Sequence, residues 1–203
     1  MKLYYKPGAC SLASHIALHE IGAEFDIDQV DTQAKKTQNG GDFNAINPKG
    51  VVPALTLDNG DVLTEGAAIL QYIADQKPSA DLAAKPGTIA RTRVQEHLNY
   101  VSSELHKAFA PLFSSTATDE DKQAQKLIVG GKLDYINDIL SDGREYLVDN
   151  KFTVADAYLF VVANWSNFTG IDLSKWSHVA DFVKRVSSRE KVQLALKAEG
   201  LLA

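Results

Sequence analysis

The pattern of apolar and polar residues over the first eighty positions predicts alternating strands and helices. Lys2–Tyr5 is a short β-prone segment, and Ser11–Glu20 follows a helical period that Gly22 is suited to end. Phe25–Asp28 alternates apolar and acidic residues, which is typical of a half-buried strand. Strand, helix and strand in about 30 residues make a βαβ unit, whose crossover is nearly always right-handed. The predicted buried face of the helix consists of Leu12, Ala13, Ile16 and Ala17.

A hairpin and a further helix follow. Asn59-Gly60 stands between two apolar runs, which is the strongest short signal for a hairpin. A helix then opens at Thr64 or Glu65. The order of elements predicts a small mixed sheet flanked by helices, an α/β fold. The predicted buried stripe of this helix consists of Ala68, Ile69, Tyr72 and Ile73.

The rest of the chain predicts helices only. A segment with proline and glycine over 77–87 is the expected linker, so we place one domain at 1–80 and an all-α domain at 87–203. Thr153 and Asp156 have the spacing of a capping box, and 178–196 predicts one or two amphipathic helices. Two apolar stripes are expected to be buried: Leu98, Val101, Leu105, Phe109 and Leu112, then Leu127, Leu133, Ile136 and Leu140.

Composition and charge narrow the class of protein. The 203 residues are 45% apolar and 23% charged, as in ordinary globular proteins, and the formal charge of -5 argues against a nucleic-acid surface. No stretch approaches the roughly 20 apolar residues that span a bilayer, and no secretory signal is visible. One cysteine allows no internal disulfide, and no cysteine–histidine spacing suits zinc. We therefore expect a cytoplasmic protein without a metal.

Cys10 is the first candidate for chemistry. It lies where the first strand has ended and the first helix begins, and free N–H groups at a helix start favour a thiolate. The alternative is a small buried apolar residue, the commoner fate of a lone cysteine. Because no second cysteine exists, a disulfide partner must come from outside the chain. Glutathione is the obvious cellular candidate.

Two further segments could bind a ligand. N–H groups at Gly66 could hold an α-carboxylate while Glu65 pairs with the neighbouring ammonium, although a carboxylate in a first helical turn is common without any function. The Val52-Pro53 bond must lie at a sheet edge or a bend, and a cis bond would turn the Val52 backbone toward a cleft.

Three polar residues share one face of the predicted helix near 100. Asn99, Ser103 and His106 are spaced 4 and 3, so they either line a cleft or are simply solvated. Histidine titrates near neutral pH, which makes His106 a candidate proton or hydrogen-bond partner. The remaining histidines are expected to be packing or surface residues, namely His15, His19, His97 and His178.

Taken together, these segments resemble the bacterial, beta-class glutathione transferases over essentially the whole chain. The segments are KLYYKPGACSLASHI, NPKGVVPAL, LTEGAAILQYIAD, LNYVSSELHKAF and FTVADAYLF. The first of them is specific to that class, whereas the VP and TEG motifs in the second and third occur more widely in the superfamily. Two positions depart from the usual pattern: histidine replaces tryptophan at 97, and valine replaces glutamine at 51.

The resemblance implies a thioredoxin-like N-terminal domain that binds glutathione, an all-α C-terminal domain with a pocket for the hydrophobic co-substrate, and a homodimer. Cys10 and His106 would be catalytic, and Cys10 could form a mixed disulfide with glutathione. Lys35 would meet the glycyl carboxylate. The full set of implied glutathione ligands is Cys10, Lys35, Val52, Glu65, Gly66, Asn99, Ser103 and His106, and the implied co-substrate residues are Tyr5, Lys107 and Trp165, with Ser11 nearby.

The predicted function is conjugation of reduced glutathione, as co-substrate, to small hydrophobic electrophiles, with thiol–disulfide exchange at Cys10 as a second activity. Two alternatives remain open at this point. One is a glutaredoxin-like disulfide reductase, which would lose all activity without Cys10. The other is a non-catalytic ligand-binding protein, a role that the same fold can host.

Overall fold

The computed structural model describes residues 1–202. A five-stranded sheet has the order β3-β2-β1-β4-β5. The β1–β2 pair is parallel and the other pairs are antiparallel, which confirms the βαβ unit and the hairpin at Asn59-Gly60. The strands are β1 (Lys2–Tyr5), β2 (Asp26–Asp31), β3 (Lys36–Thr37), β4 (Ala54–Thr56) and β5 (Val62–Thr64).

The helices confirm the predicted mixture of an α/β part and a helical part. The first α-helix, Ser11–Glu20, begins and ends where the helical period and Gly22 predict. The α-helices are α1 (Ser11–Glu20), α2 (Gly66–Gln76), α3 (Ile89–Tyr100), α4 (His106–Phe109), α5 (Asp119–Leu140), α6 (Val154–Asn164), α7 (Ser166–Thr169), α8 (Ser177–Ser187) and α9 (Glu190–Ala198). No helix among residues 1–202 has the length and apolar character to cross a membrane.

Contacts divide the chain into two units, and the division differs from the predicted one at the C-terminus. The first unit contains Met1–Ala83 and the residues from Ser188 onward, and the second contains Ala84–Ser187. The sequence predicts that all of 87–203 belongs to the helical domain. The C-terminal helix α9 belongs to the first unit because it packs against α1. It covers α1 so fully that every residue from 11 to 18 is buried, and not only the predicted face.

In β2 the alternate residues that face the interior are not the set that the sequence predicts. The alternation of Phe25 and Ile27 predicts that these two apolar residues face the interior. Ile27 is 37% exposed, whereas Asp28 and Val30 face the interior. The cause is packing at long range, because Val30 belongs to a buried cluster with Phe43 and Tyr4. Successive side chains of a strand point to opposite faces, so burial of Val30 in that cluster turns Ile27 outward.

Two helical stripes also need correction. On α2 the buried residues are Ile69, Leu70, Ile73 and Ala74, so Ala68 and Tyr72 lie off the buried face. On α5, Leu127 is 79% exposed. A separation of six residues puts Leu127 and Leu133 on different faces, and Val129 takes the buried place four residues before Leu133. The stripe from Leu98 to Leu112 is buried as predicted.

The capping box of α6 is confirmed. The Thr153 hydroxyl accepts from the Ala155 N–H, and one oxygen of Asp156 accepts from the Thr153 N–H at 2.8 Å. The other Asp156 oxygen accepts from the Leu147 N–H at 2.8 Å. Burial raises the pKa of Asp156 to about 6, although these hydrogen bonds oppose the rise. The box therefore fixes the start of the central helix of the second unit.

Candidate functional site

Cys10 lies at the N-terminus of α1 with its thiol close to the Val52 carbonyl. A turn closed by the Ala9 N–H to the Lys6 carbonyl leads into it. Cys10 is a free cysteine and is half-buried, and its Sγ donates to the Val52 carbonyl oxygen at 3.3 Å. The Val52-Pro53 peptide bond is cis. Folding thus brings together the two features, 42 residues apart, that the sequence suggested separately.

At Cys10 the helix start, which favours a thiolate, is opposed by burial. Burial raises the pKa of the Cys10 thiol to about 11. The backbone N–H groups of Cys10 and Ser11 lower it, as a helix start should, but they do not outweigh burial, and the charge of Glu65 raises it further. Cys10 is therefore a neutral thiol at neutral pH.

The turn before Cys10 is held by a buried carboxylate that sequence reasoning missed. Glu199 accepts from the Gly8 N–H at 2.9 Å, and its other oxygen lies 2.9 Å from Nδ1 of His15. The side chains of His15 and Glu199 are 1% and 0% exposed. Tyr5 is also buried, with its ring centroid 5.9 Å from that of His15. A glutamate near the end of the chain carries no local signal of this pairing.

Glu65 and Gly66 stand at the start of α2. Glu65 is the N-cap residue, with φ at 69°, and its side chain makes no capping hydrogen bond, whereas its carbonyl oxygen accepts from the Ala68 N–H at 3.0 Å. The Nζ of Lys49 lies 2.5 Å from a Glu65 carboxylate oxygen and 2.7 Å from the Thr64 hydroxyl. Sequence reasoning assigned no role to Lys49.

Lys35 lies beside the loop that carries Val52. Its Nζ donates to the Gly50 carbonyl oxygen at 2.8 Å, and its backbone has φ at 56°. Gly50 has φ at 63°, a left-handed conformation that favours glycine, and a Cβ there would lie 3.1 Å from Lys35 Nζ. The hydrogen-bond partner of the ammonium is thus a carbonyl oxygen and not a carboxylate.

In the helical unit, the predicted polar face is interrupted by a π-helical turn over Val101–Leu105. Asn99 and Ser103 are exposed, and the Ser103 hydroxyl donates to the Asn99 carbonyl at 2.9 Å. His106 begins the next helix, α4, immediately after this turn. π-turns inside helices occur frequently at functional sites. No periodicity in the sequence indicated it.

His106 is packed among aromatic residues. Its Nδ1 lies 2.8 Å from the Tyr158 hydroxyl, and its ring centroid is 4.8 Å from that of Trp165. Burial, and secondarily the charge of Lys107, lowers the pKa of His106 to about 4. The imidazole is therefore neutral near pH 7. Trp165 is 8% exposed and lies edge-on to Phe113, which is 53% exposed, while Lys107 points to solvent.

The site residues have no obvious use for a metal. Across residues 1–202 no group of three or more histidine, cysteine, aspartate or glutamate side chains could hold a metal ion. The groups present are a thiol, a carboxylate, ammonium groups and backbone donors, which suit an organic ligand carrying both charges.

Comparison with known proteins identifies the family. Residues 8–76 match the family model for the glutathione S-transferase N-terminal domain, and residues 100–190 match the model for the C-terminal domain. Glutathione S-transferase GstA of Escherichia coli O157:H7 is 48% identical over 201 residues, which cover 99% of this chain and 100% of that protein. This similarity favours the transferase over both alternatives.

Solved structures agree. The bacterial beta-class glutathione S-transferase of Sphingomonas chungbukensis is 48% identical, with full coverage of both chains and a TM-score of 0.96. A sphingomonad glutathione S-transferase complexed with glutathione is 46% identical, also with full coverage of both chains, at a TM-score of 0.95. With both family domains matched and this similarity extending over the whole length, the chain belongs to the glutathione S-transferase family and to its bacterial beta class.

Proposed function

We propose that this transferase conjugates reduced glutathione to small hydrophobic electrophiles and that Cys10 acts mainly as a hydrogen-bond donor to the glutathione sulfur. The observation that carries the proposal is the neutral Cys10 thiol donating to the Val52 carbonyl. Because burial raises the pKa of the Cys10 thiol to about 11, the sulfur is protonated at pH 7. An S–H group is thus available to stabilise the thiolate of a bound glutathione, which then attacks the electrophile.

Binding is proposed to use the groups already described. The Lys35 ammonium takes the glycyl carboxylate, the Val52 backbone pairs with the cysteinyl moiety, and Glu65 and Gly66 hold the γ-glutamyl end. When the ligand engages the Val52 carbonyl, the Cys10 thiol loses its acceptor and can turn to the ligand sulfur. The glutathione bound in the sphingomonad relative supports this assignment.

The helical unit is proposed to contribute further residues. Asn99 and Ser103 supply exposed polar groups for glutathione, and His106 serves as a neutral hydrogen-bond partner. Because the pKa of His106 is about 4, its charge does not change between pH 6 and 9. The co-substrate residues are proposed to be Tyr5, Lys107 and Trp165.

We also propose a cytoplasmic, homodimeric enzyme of detoxification. A reduced thiol and reduced glutathione both suit that compartment. On α5, Leu127 and Ile128 are 79% and 51% exposed, an apolar surface that suits association with a second copy. Light scattering of the purified protein measures the mass and would contradict the dimer if only the monomer is found.

Conjugation of glutathione to 1-chloro-2,4-dinitrobenzene tests the main proposal. We expect turnover that saturates with glutathione and that disappears when glutathione is omitted. Circular dichroism on the same sample shows that the protein is folded. A folded, pure protein without glutathione-dependent turnover for this or other aryl halides would contradict the proposed function.

Thiol–disulfide exchange is the second candidate activity, because Cys10 is a free cysteine and only half-buried. Only the thiolate attacks, so the exchange and alkylation rates should rise about tenfold per pH unit from pH 7 to 10. Iodoacetamide labelling followed by mass spectrometry measures this directly, since the chain has one cysteine. A rate that levels off below pH 8 would show that the pKa is far lower.

A further inference from the structure

We propose that Lys49 is a specificity-determining residue, because its ammonium occupies the place on Glu65 that the α-ammonium of glutathione requires. This inference rests on the proposed role of Glu65 in holding the γ-glutamyl end. Lys49 contacts one of the two Glu65 carboxylate oxygens, so the α-ammonium of glutathione competes with it for the carboxylate when it binds. Lys49 therefore weakens the binding of glutathione. It also reduces the difference in affinity between ligands that carry an ammonium group and ligands that lack it.

The Lys49 ammonium lies at the start of α2, beside Glu65. Its Nζ contacts the Glu65 carboxylate at 2.5 Å and the Thr64 hydroxyl at 2.7 Å. Its backbone is fixed close by, because the Lys49 N–H donates to the side chain of the fully buried Asn47, which also donates to the Val51 carbonyl at 2.7 Å. The lysine thus extends from a well-ordered loop directly to the start of α2.

The pairing is weak enough to be displaced. The Lys49 and Glu65 side chains are 47% and 71% exposed, and ion pairs as exposed as this contribute little net stability. The lysine and the α-amino group of glutathione are both primary ammonium groups, so they compete for the same carboxylate with similar chemistry. Removal of the competitor should therefore tighten glutathione binding by roughly two- to fivefold.

Calorimetric titration with S-methylglutathione, which cannot form a disulfide with Cys10, tests the proposal. We expect Lys49→Met to lower the Kd two- to fivefold and Lys49→Arg to leave it near the wild-type value, because arginine keeps a cation on Glu65. Lys191→Met is the matched control, since Lys191 also forms an exposed pair with a glutamate, Glu190, away from the site. It should not change the Kd.

A second ligand isolates the ammonium group. S-methylated glutaryl-cysteinyl-glycine is the same peptide without the α-amino group. It has no ammonium to bind Glu65, so it does not compete with Lys49. Lys49→Met should not improve its binding, and the preference for S-methylglutathione over this analogue should increase in that variant.

The outcomes separate the inference from the proposed function. If wild type and Lys49→Met bind S-methylglutathione equally, or if the variant binds it more weakly, Lys49 is not a competitor and only this inference fails. An equal improvement for both ligands also overturns it, because the effect would not depend on the ammonium. If no variant binds S-methylglutathione, the proposed function fails together with it.

Discussion

Replacement of Cys10 by alanine is expected to abolish thiol–disulfide exchange and to reduce conjugation roughly ten- to hundredfold in kcat/KM. Exchange requires a sulfur of the chain, and there is no other cysteine. Conjugation loses one donor to a charged sulfur, and a hydrogen bond to a charged group contributes about 1.5–3 kcal/mol. The remaining backbone N–H groups at the start of α1 keep part of the activity. Steady-state aryl-halide and glutathione-disulfide assays on the same samples measure both effects.

Cys10→Ser is the matched variant, because a hydroxyl donates a hydrogen bond but does not form a disulfide. It should recover much of the conjugation and none of the exchange. Equal conjugation by the alanine and serine variants, both well below wild type, would contradict the hydrogen-bonding role and show that conjugation depends on a property of the sulfur that a hydroxyl lacks. Thermal unfolding of each variant should show that the fold is intact.

Replacement of Glu199 by alanine is expected to lower the free energy of unfolding by about 2–5 kcal/mol. The change removes the acceptor of the fully buried His15 ring and the carboxylate that accepts from the half-buried Gly8 N–H, and a buried group left unsatisfied costs about 1–3 kcal/mol. For a chain of this size, Tm should fall by roughly 5–15 °C. Differential scanning calorimetry measures both the Tm and the enthalpy.

Glu190→Ala provides the control, at the start of α9, the helix that Glu199 follows. The Glu190 side chain is 81% exposed and pairs only with Lys191 among the ion pairs described for residues 1–202, so its removal should change stability by less than about 0.5 kcal/mol. Similar losses from both variants would contradict the role that we assign to the buried carboxylate. Because Glu199 also holds the Gly8 turn ahead of Cys10, glutathione binding should weaken in Glu199→Ala but not in Glu190→Ala.

The amino-acid sequence by itself determined the features that depend on near neighbours. The limits of α1, the turn at Asn59-Gly60 and the capping box at Thr153 follow from short periods and from residues that bond within a few positions. The place of Cys10 at a helix start is local in the same sense. The family resemblance then assigned roles to residues that no local pattern could explain, Lys35 above all.

The tertiary structure decided what depends on burial and on distant partners. The pairing of His15 with Glu199 spans 184 residues, and the phase of β2 was set by packing around Val30 rather than by its own alternation. The charge state of Cys10 was decided in the same way. A helix start favours the thiolate, but the cost of taking a charge out of water is larger here, and the extent of burial is known only once the chain has folded.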